Sequence, residues 1–169
     1  MKIAISGTPG TGKHRLGRDL SKLLGFKLLD LNKEIGSKPG RETEVSVKDL
    51  ERLVKNKLED DMIIVSHMAH MISDEYFDLL IILRCNPEIL SKRLKARGYD
   101  KEKVYDNVVF EALDGSVIET IELGKKFVQI DSTRDYKTTL RQAYLMITKN
   151  KRPRKFNPDY SRYVIRFGL

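Results

Sequence analysis

Seven residues near the N-terminus, Gly7-Thr8-Pro9-Gly10-Thr11-Gly12-Lys13, constrain this chain more than any other stretch. They follow the strand-like run Ile3-Ala4-Ile5-Ser6 and precede a helical pattern over 13–24 that places Leu16, Leu20, Leu23 and Leu24 on one face. A Gly-x-x-x-x-Gly-Lys spacing in that setting is the signature of a phosphate loop. Its glycines let the backbone curl so that successive N–H groups converge on phosphate oxygens. The helix N-terminus adds partial positive charge, and Lys13 reaches the outer phosphates.

The rest of the chain supplies the sheet that such a loop needs. Residues 62–66, 79–83 and 126–130 are short apolar runs of the kind expected of strands covered on both faces, and 28–31 reads as a further short strand. Between them, 47–58 repeats Leu50, Leu53, Val54 and Leu58, Pro87 opens a helix over 88–97, and a last helix spans about 136–149. Strands alternating with helices predict a parallel sheet in a three-layer α/β P-loop fold that binds a nucleoside triphosphate. Three stretches break the alternation: 35–45, polar and Gly-containing; 98–106, charged; and the chain from Lys149 onward. In P-loop kinases such loops are where lids are found.

At 169 residues the chain has the length of one domain, and 40% apolar with 33% charged residues describes a folded globular protein. No apolar run approaches the roughly 20 residues of a spanning helix, and no apolar leader precedes the first strand, so no membrane and a cytoplasmic location are expected. Cys85, the lone cysteine, lies between an apolar run and Asn86-Pro87 and reads as a partly buried strand end. The net charge of +8 suits anionic partners without choosing among them.

Position 14 departs from the pattern. A P-loop continues with Ser or Thr to ligate magnesium, and here it continues with His14. Imidazole is a poor ligand for a hard, oxygen-seeking ion. Backbone amides and Lys13 are therefore expected to keep the triphosphate while metal placement suffers, so that binding and turnover separate.

The loop, together with Ile64-Val65-Ser66-His67, Leu83-Arg84, the run from Lys92 to Tyr99 and Asp106-Asn107-Val108, resembles the archaeal putative adenylate kinases. These are related to the eukaryotic nuclear adenylate kinase that doubles as a small-ribosomal-subunit assembly ATPase. The resemblance spans about 1–148 and implies an adenylate-kinase-like domain, with a nucleoside-monophosphate region at 30–53, a short lid at 97–107 and a basic extension at 149–169. It implies that Gly10, Gly12, Lys13, His14, Arg15 and Arg97 line ATP, that Lys13, Arg97 and His67 act in catalysis, and that Arg41 and Arg84 hold AMP and the transferred group. Lid arginines suit phosphoryl transfer because they neutralise developing charge once closure has expelled water. Where these kinases show Asp-x-His, this chain has Val65-Ser66-His67, so a second magnesium-organising side chain is missing. Asp30, Asp60, Asp61 and Asp74 are the available substitutes, and magnesium is expected to travel with the nucleotide. His70, three residues after His67, suits capping or packing.

Beyond residue 148, Lys149-Asn150-Lys151-Arg152-Pro153-Arg154-Lys155 is followed by Phe156, Tyr160, Tyr163 and Phe167. Aromatic residues among cations stack bases or dock on protein, and the apolar ones equally fold back on a core. Two functions remain open. One is an enzyme that converts ATP and AMP to two ADP, with ATP hydrolysis as a side outcome. The other is a catalytically weak nucleotide-binding factor that grips a small-subunit ribosomal protein or pre-rRNA. A small P-loop kinase acting on another acceptor fits the Arg97-Gly98-Tyr99 segment less well.

Overall fold

The computed structural model describes residues 1–36, 45–149, 156 and 158–166. Five strands, β1 (Lys2–Ser6), β2 (Lys27–Asp30), β3 (Met62–Val65), β4 (Leu79–Arg84) and β5 (Val128–Asp131), form one sheet in the order β2-β3-β1-β4-β5. Every pairing is parallel, as strands of nearly continuous Ile, Leu and Val require when helices cover both faces. The register sets Ala4 beside Ile64 and Leu80, and Asp30 beside Val65.

Helix α1 (Lys13–Leu24) buries Leu16 and Leu20 completely, and Gly17 lets it lie close to the sheet. A Cβ on Gly17 would come within 2.4 Å of Val65 Cγ2. The short α2 (Leu31–Glu34) and α3 (Val47–Lys57) pack Leu31, Leu50 and Val54 against Ile64 and Met62. Helix α4 (Pro87–Ala96) starts where Asn86 Oδ1 accepts from the Glu88 and Ile89 amides, with Pro87 in the first turn, where its missing N–H is no loss. Helix α7 (Tyr136–Lys149) returns along α1 with Ala143 and Met146 inward.

One stretch differs from the sequence reading, and a second decides between alternatives that it left open. The charged segment expected to interrupt the alternation at 98–106 becomes helix from Lys101 onward: α5 (Lys101–Ala112), capped by the Asp100 carboxylate on the Lys103 amide, runs on into α6 (Gly115–Glu122). Only 97–100 stands outside helices in the proposed lid. Near the C-terminus, α8 (Ser161–Arg166) turns Tyr160 and Tyr163 inward against Ala112, so these aromatic rings serve packing. The Tyr163 hydroxyl accepts from Asn86 Nδ2 at 2.8 Å, tying this helix to the cap of α4. Cys85 is wholly buried, and burial pushes its thiol up to about 11, out of the range of a nucleophile.

Docking of α8 is testable. Tyr163→Ala removes a ring that is 6% exposed together with the hydrogen bond to Asn86, and is expected to lower unfolding free energy by about 3 kcal/mol in urea denaturation. An unchanged midpoint would mean that this helix does not pack on α5.

Candidate nucleotide-binding site

The loop leaves β1 at its C-terminal end and delivers Lys13 to the first turn of α1. Gly7 and Gly10 take φ of 137° and 96°, which only glycine adopts without strain. Space excludes a side chain at both positions as well: a Cβ on Gly7 would lie 2.5 Å from the Leu83 carbonyl oxygen, and one on Gly10 would lie 2.7 Å from Leu90. Gly12, at φ 97°, is the N-cap of α1, so no side chain occupies the amides of the first turn. Uncapped amides with their dipole pointing outward form an anion site, and Lys13, buried to 3% exposure, adds a full charge at its edge.

The loop is held from beneath by a carboxylate that the sequence reading missed. Glu111 of α5 is 2% exposed; its Oε2 accepts from the Thr8 hydroxyl, and its Oε1 accepts from Arg84 Nε at 2.9 Å and from the Cys85 amide at 2.8 Å. Arg84 is equally buried and donates also to Asp114, Gln129 Oε1 and the Glu111 carbonyl, while Tyr160 covers its guanidinium. All three guanidinium nitrogens are therefore engaged within the chain. The geometry gives this arginine the work of fixing the loop, on which four of its five N–H donors are spent.

On the other side of the loop, His14 Nδ1 lies 2.8 Å from Asp30 Oδ2. Asp30 ends β2 and caps α2 by accepting from the Lys33 amide. Burial raises its carboxyl, but the His14 hydrogen bond, the charge nearby and the Lys33 amide outweigh this and hold it below the usual carboxylate range. Of the four substitute carboxylates, only Asp30 stands at the loop end of the sheet. Asp60 and Asp61 precede β3 at the opposite end, where Asp61 pairs with the terminal amine, and Asp74 pairs with Lys125.

His67 follows β3 and faces Lys13 and His14. Burial, then the charges of Lys13, His70 and His14, push its pKa down to about 4, so the ring is neutral at pH 7. Its Nδ1 takes a 3.3 Å contact from Asn32 Nδ2, which leaves the ring hydrogen on Nε2. His70 has the packing role expected: at 2% exposure it meets the Ser6 hydroxyl and Glu119 Oε2, both at 2.7 Å, and pins the turn carrying His67 to the root of the loop. A cavity of about 150 Å³ opens here between Thr8, Pro9, His67, Met68, Phe110 and Ser116.

Residues 3–114 match the AAA domain family. The "Putative adenylate kinase" of Thermococcus onnurineus is 35% identical over 139 residues, covering 79% of this chain and 76% of that protein. That of Methanocaldococcus jannaschii is 32% identical over 171 residues, covering 95% and 93%. The chain belongs to the archaeal putative adenylate kinases. Among solved structures, a shikimate kinase from Acinetobacter baumannii superposes with a TM-score of 0.62 at 16% identity, covering 89% of this chain and 94% of that one. A deoxyadenosine kinase from M. mycoides gives 0.56 at 21% identity, covering 89% and 100%. These neighbours share the fold of P-loop nucleotide and metabolite kinases.

Within this family member the remaining predicted residues are spread out. Arg97 caps α4 at its C-terminal end, exposed, with no ion-pair partner among the described residues. Arg15 stacks on the Tyr136 ring at 3.6 Å from its centroid and lies 3.9 Å from Asp19. Arg41 lies outside the described residues. The donors that P-loop kinases use for magnesium do not fit here: an imidazole stands at the hydroxyl's position, and Val65, apolar and fully buried, at the carboxylate's. No group of three metal-binding side chains occurs among the described residues, and no described helix is long and apolar enough to cross a membrane.

Two outcomes check this geometry. Arg84→Ala leaves Glu111 buried and unpaired, and is expected to cost about 3–5 kcal/mol by urea denaturation; Arg84→Met with Glu111→Leu is expected to recover most of that stability. His67 binds no proton in the folded state until about pH 4, whereas the unfolded chain binds one below about pH 6.5. Stability therefore falls as pH drops through that window, by about 2 kcal/mol between pH 7 and pH 5, and His67→Gln removes this part of the slope.

Proposed function

We propose that this protein is a nucleoside-monophosphate kinase of the adenylate kinase type, transferring the γ-phosphoryl group of ATP to AMP to yield two ADP. The observation that carries this reading is the open first turn of α1 beside buried Lys13, a phosphate grip facing a second polar wall built from Asn32 and His67. ATP would lie with its phosphates on the Gly10–Gly12 curl, with Lys13 against the outer ones and His14 and Arg15 along α1. Arg97, on the short connection between α4 and α5, would swing onto the transferred group, where its charge counts most once water is excluded.

The acceptor would enter over the C-terminal ends of β2 and β3. Asn32 Oδ1 on α2, and Ser116 Oγ on α6 in the wall of the cavity beside His67, are buried without a hydrogen-bond partner among the described residues, which suits polar groups of a bound molecule. A neutral His67 with its hydrogen on Nε2 donates to an oxygen of the acceptor or of a water in its place; the second case gives ATP hydrolysis. Arg41 would serve the monophosphate. Arg84 acts through Glu111 and Thr8, as a positioning residue.

The unusual pair at positions 14 and 65 favours one second reading, a slow or inactive nucleotide-dependent factor in small-ribosomal-subunit maturation. Its cationic segment at 149–155 would meet pre-rRNA or a small-subunit ribosomal protein. Mixing protein, ATP, a divalent ion and AMP and following ADP distinguishes the two. AMP-dependent ADP formation that falls about a hundredfold in Lys13→Ala is expected for the kinase. ATP binding with no AMP-dependent turnover would reject it in favour of the assembly factor, whose RNA affinity would then drop when the lysines and arginines at 149–155 are replaced by glutamine and would weaken with salt.

A further inference from the structure

The two departures at the metal-organising positions meet in space. Asp30 stands in register with Val65 on the neighbouring strand, and its carboxylate holds the ring of His14 at 2.8 Å. A carboxylate only accepts, so the ring hydrogen lies on Nδ1 and Nε2 keeps its lone pair free to accept or ligate. Both Asp30 oxygens are already used, Oδ2 by His14 and Oδ1 by the Lys33 amide at 3.3 Å, which suits orienting a neighbour better than ligating an ion. Asp30 is 8% exposed, whereas the His14 side chain is 41% exposed, so a fixed base supports an accessible imidazole. That is the arrangement in which a histidine ligates a metal: its second nitrogen hydrogen-bonded to a carboxylate that fixes tautomer and ring orientation.

We infer that His14 Nε2 is a ligand to the divalent ion that accompanies the nucleotide, and that this site prefers a first-row transition ion such as Mn²⁺ or Co²⁺ over Mg²⁺. Phosphate oxygens and waters complete the shell, and Asp30 is a positioning residue for the ligand. Mg²⁺ demands oxygen donors and gives up water reluctantly, whereas imidazole suits the transition ions. The inference rests on the nucleotide-binding reading above.

The experiment uses untagged full-length protein. ADP is titrated by calorimetry with chelator, Mg²⁺ or Mn²⁺, and the Mn²⁺·ADP complex is examined by electron spin echo for modulation from a coupled nitrogen. The expected result is ADP affinity about tenfold higher with Mn²⁺ than with Mg²⁺, and nitrogen modulation that disappears in His14→Ser as the ion preference closes. Asp30→Asn keeps the modulation but weakens Mn²⁺ uptake about tenfold. The exposure of His14 allows His14→Ser to fold, which circular dichroism verifies. ADP binding without nitrogen modulation, or modulation that survives His14→Ser, overturns the assignment and leaves the nucleotide reading standing. Failure to bind ADP under all three conditions sinks that reading and this assignment with it.

Discussion

The Arg84–Glu111 pair is the constraint on which the site depends. Both side chains are 2% exposed, and withdrawing two charges from water costs several kcal/mol each, which their attraction and hydrogen bonds roughly offset. The pair therefore explains geometry better than stability. Glu111 Oε2 takes the hydroxyl of Thr8 while Oε1 takes Arg84 and the Cys85 amide, so the carboxylate cannot rotate without losing three contacts. Loop curl, the end of β4 and α5 are thereby set together. Tyr160 lies over Arg84, so the segment before α8 closes the same network from outside.

This changes what the C-terminal aromatic residues mean. In sequence, Tyr160 and Tyr163 among cations looked equally suited to nucleic acid and to a core. Their burial against Ala112, and the Tyr163 bond to the cap of α4, make them part of the scaffold beneath the loop. On the second reading proposed above, nucleic-acid contact would fall to the cations at 149–155, whose pull on phosphate requires no aromatic platform.

The parts of the fold that read clearly from sequence are those where the signal is local. Loop glycines, the Leu16 and Leu20 spacing of α1, and short apolar strands all carry their own pattern. Helix α5 was hidden because its inward face includes Glu111, a residue that normally marks a solvated surface, so the apolar stripe was broken where the structure needed a charge. Helix α6 was hidden for the opposite reason, since Ile118 and Ile121 are about half exposed or more and blur its periodicity. The Asp100 cap was the one legible sign of α5. At the site, the Arg84–Glu111 contact had no local sign because the two residues lie 27 apart, and the His14–Asp30 contact had none because it joins a helix to a strand end, which no sequence pattern pairs.

Phosphate grip and metal placement are thus separable properties of this loop. The first is made by backbone amides whose directions follow from Gly7, Gly10 and Gly12, and from the Glu111 support under Thr8; none of these involves positions 14 or 65. The second, on the assignment proposed above, would be made by side chains on α1, β2 and β3. A chain can therefore exchange hydroxyl and carboxylate for a His–Asp pair without loosening its hold on a polyphosphate. On the assignments proposed above, the chemistry would then depend on which ion the imidazole admits and on what Asn32 and His67 receive across the loop.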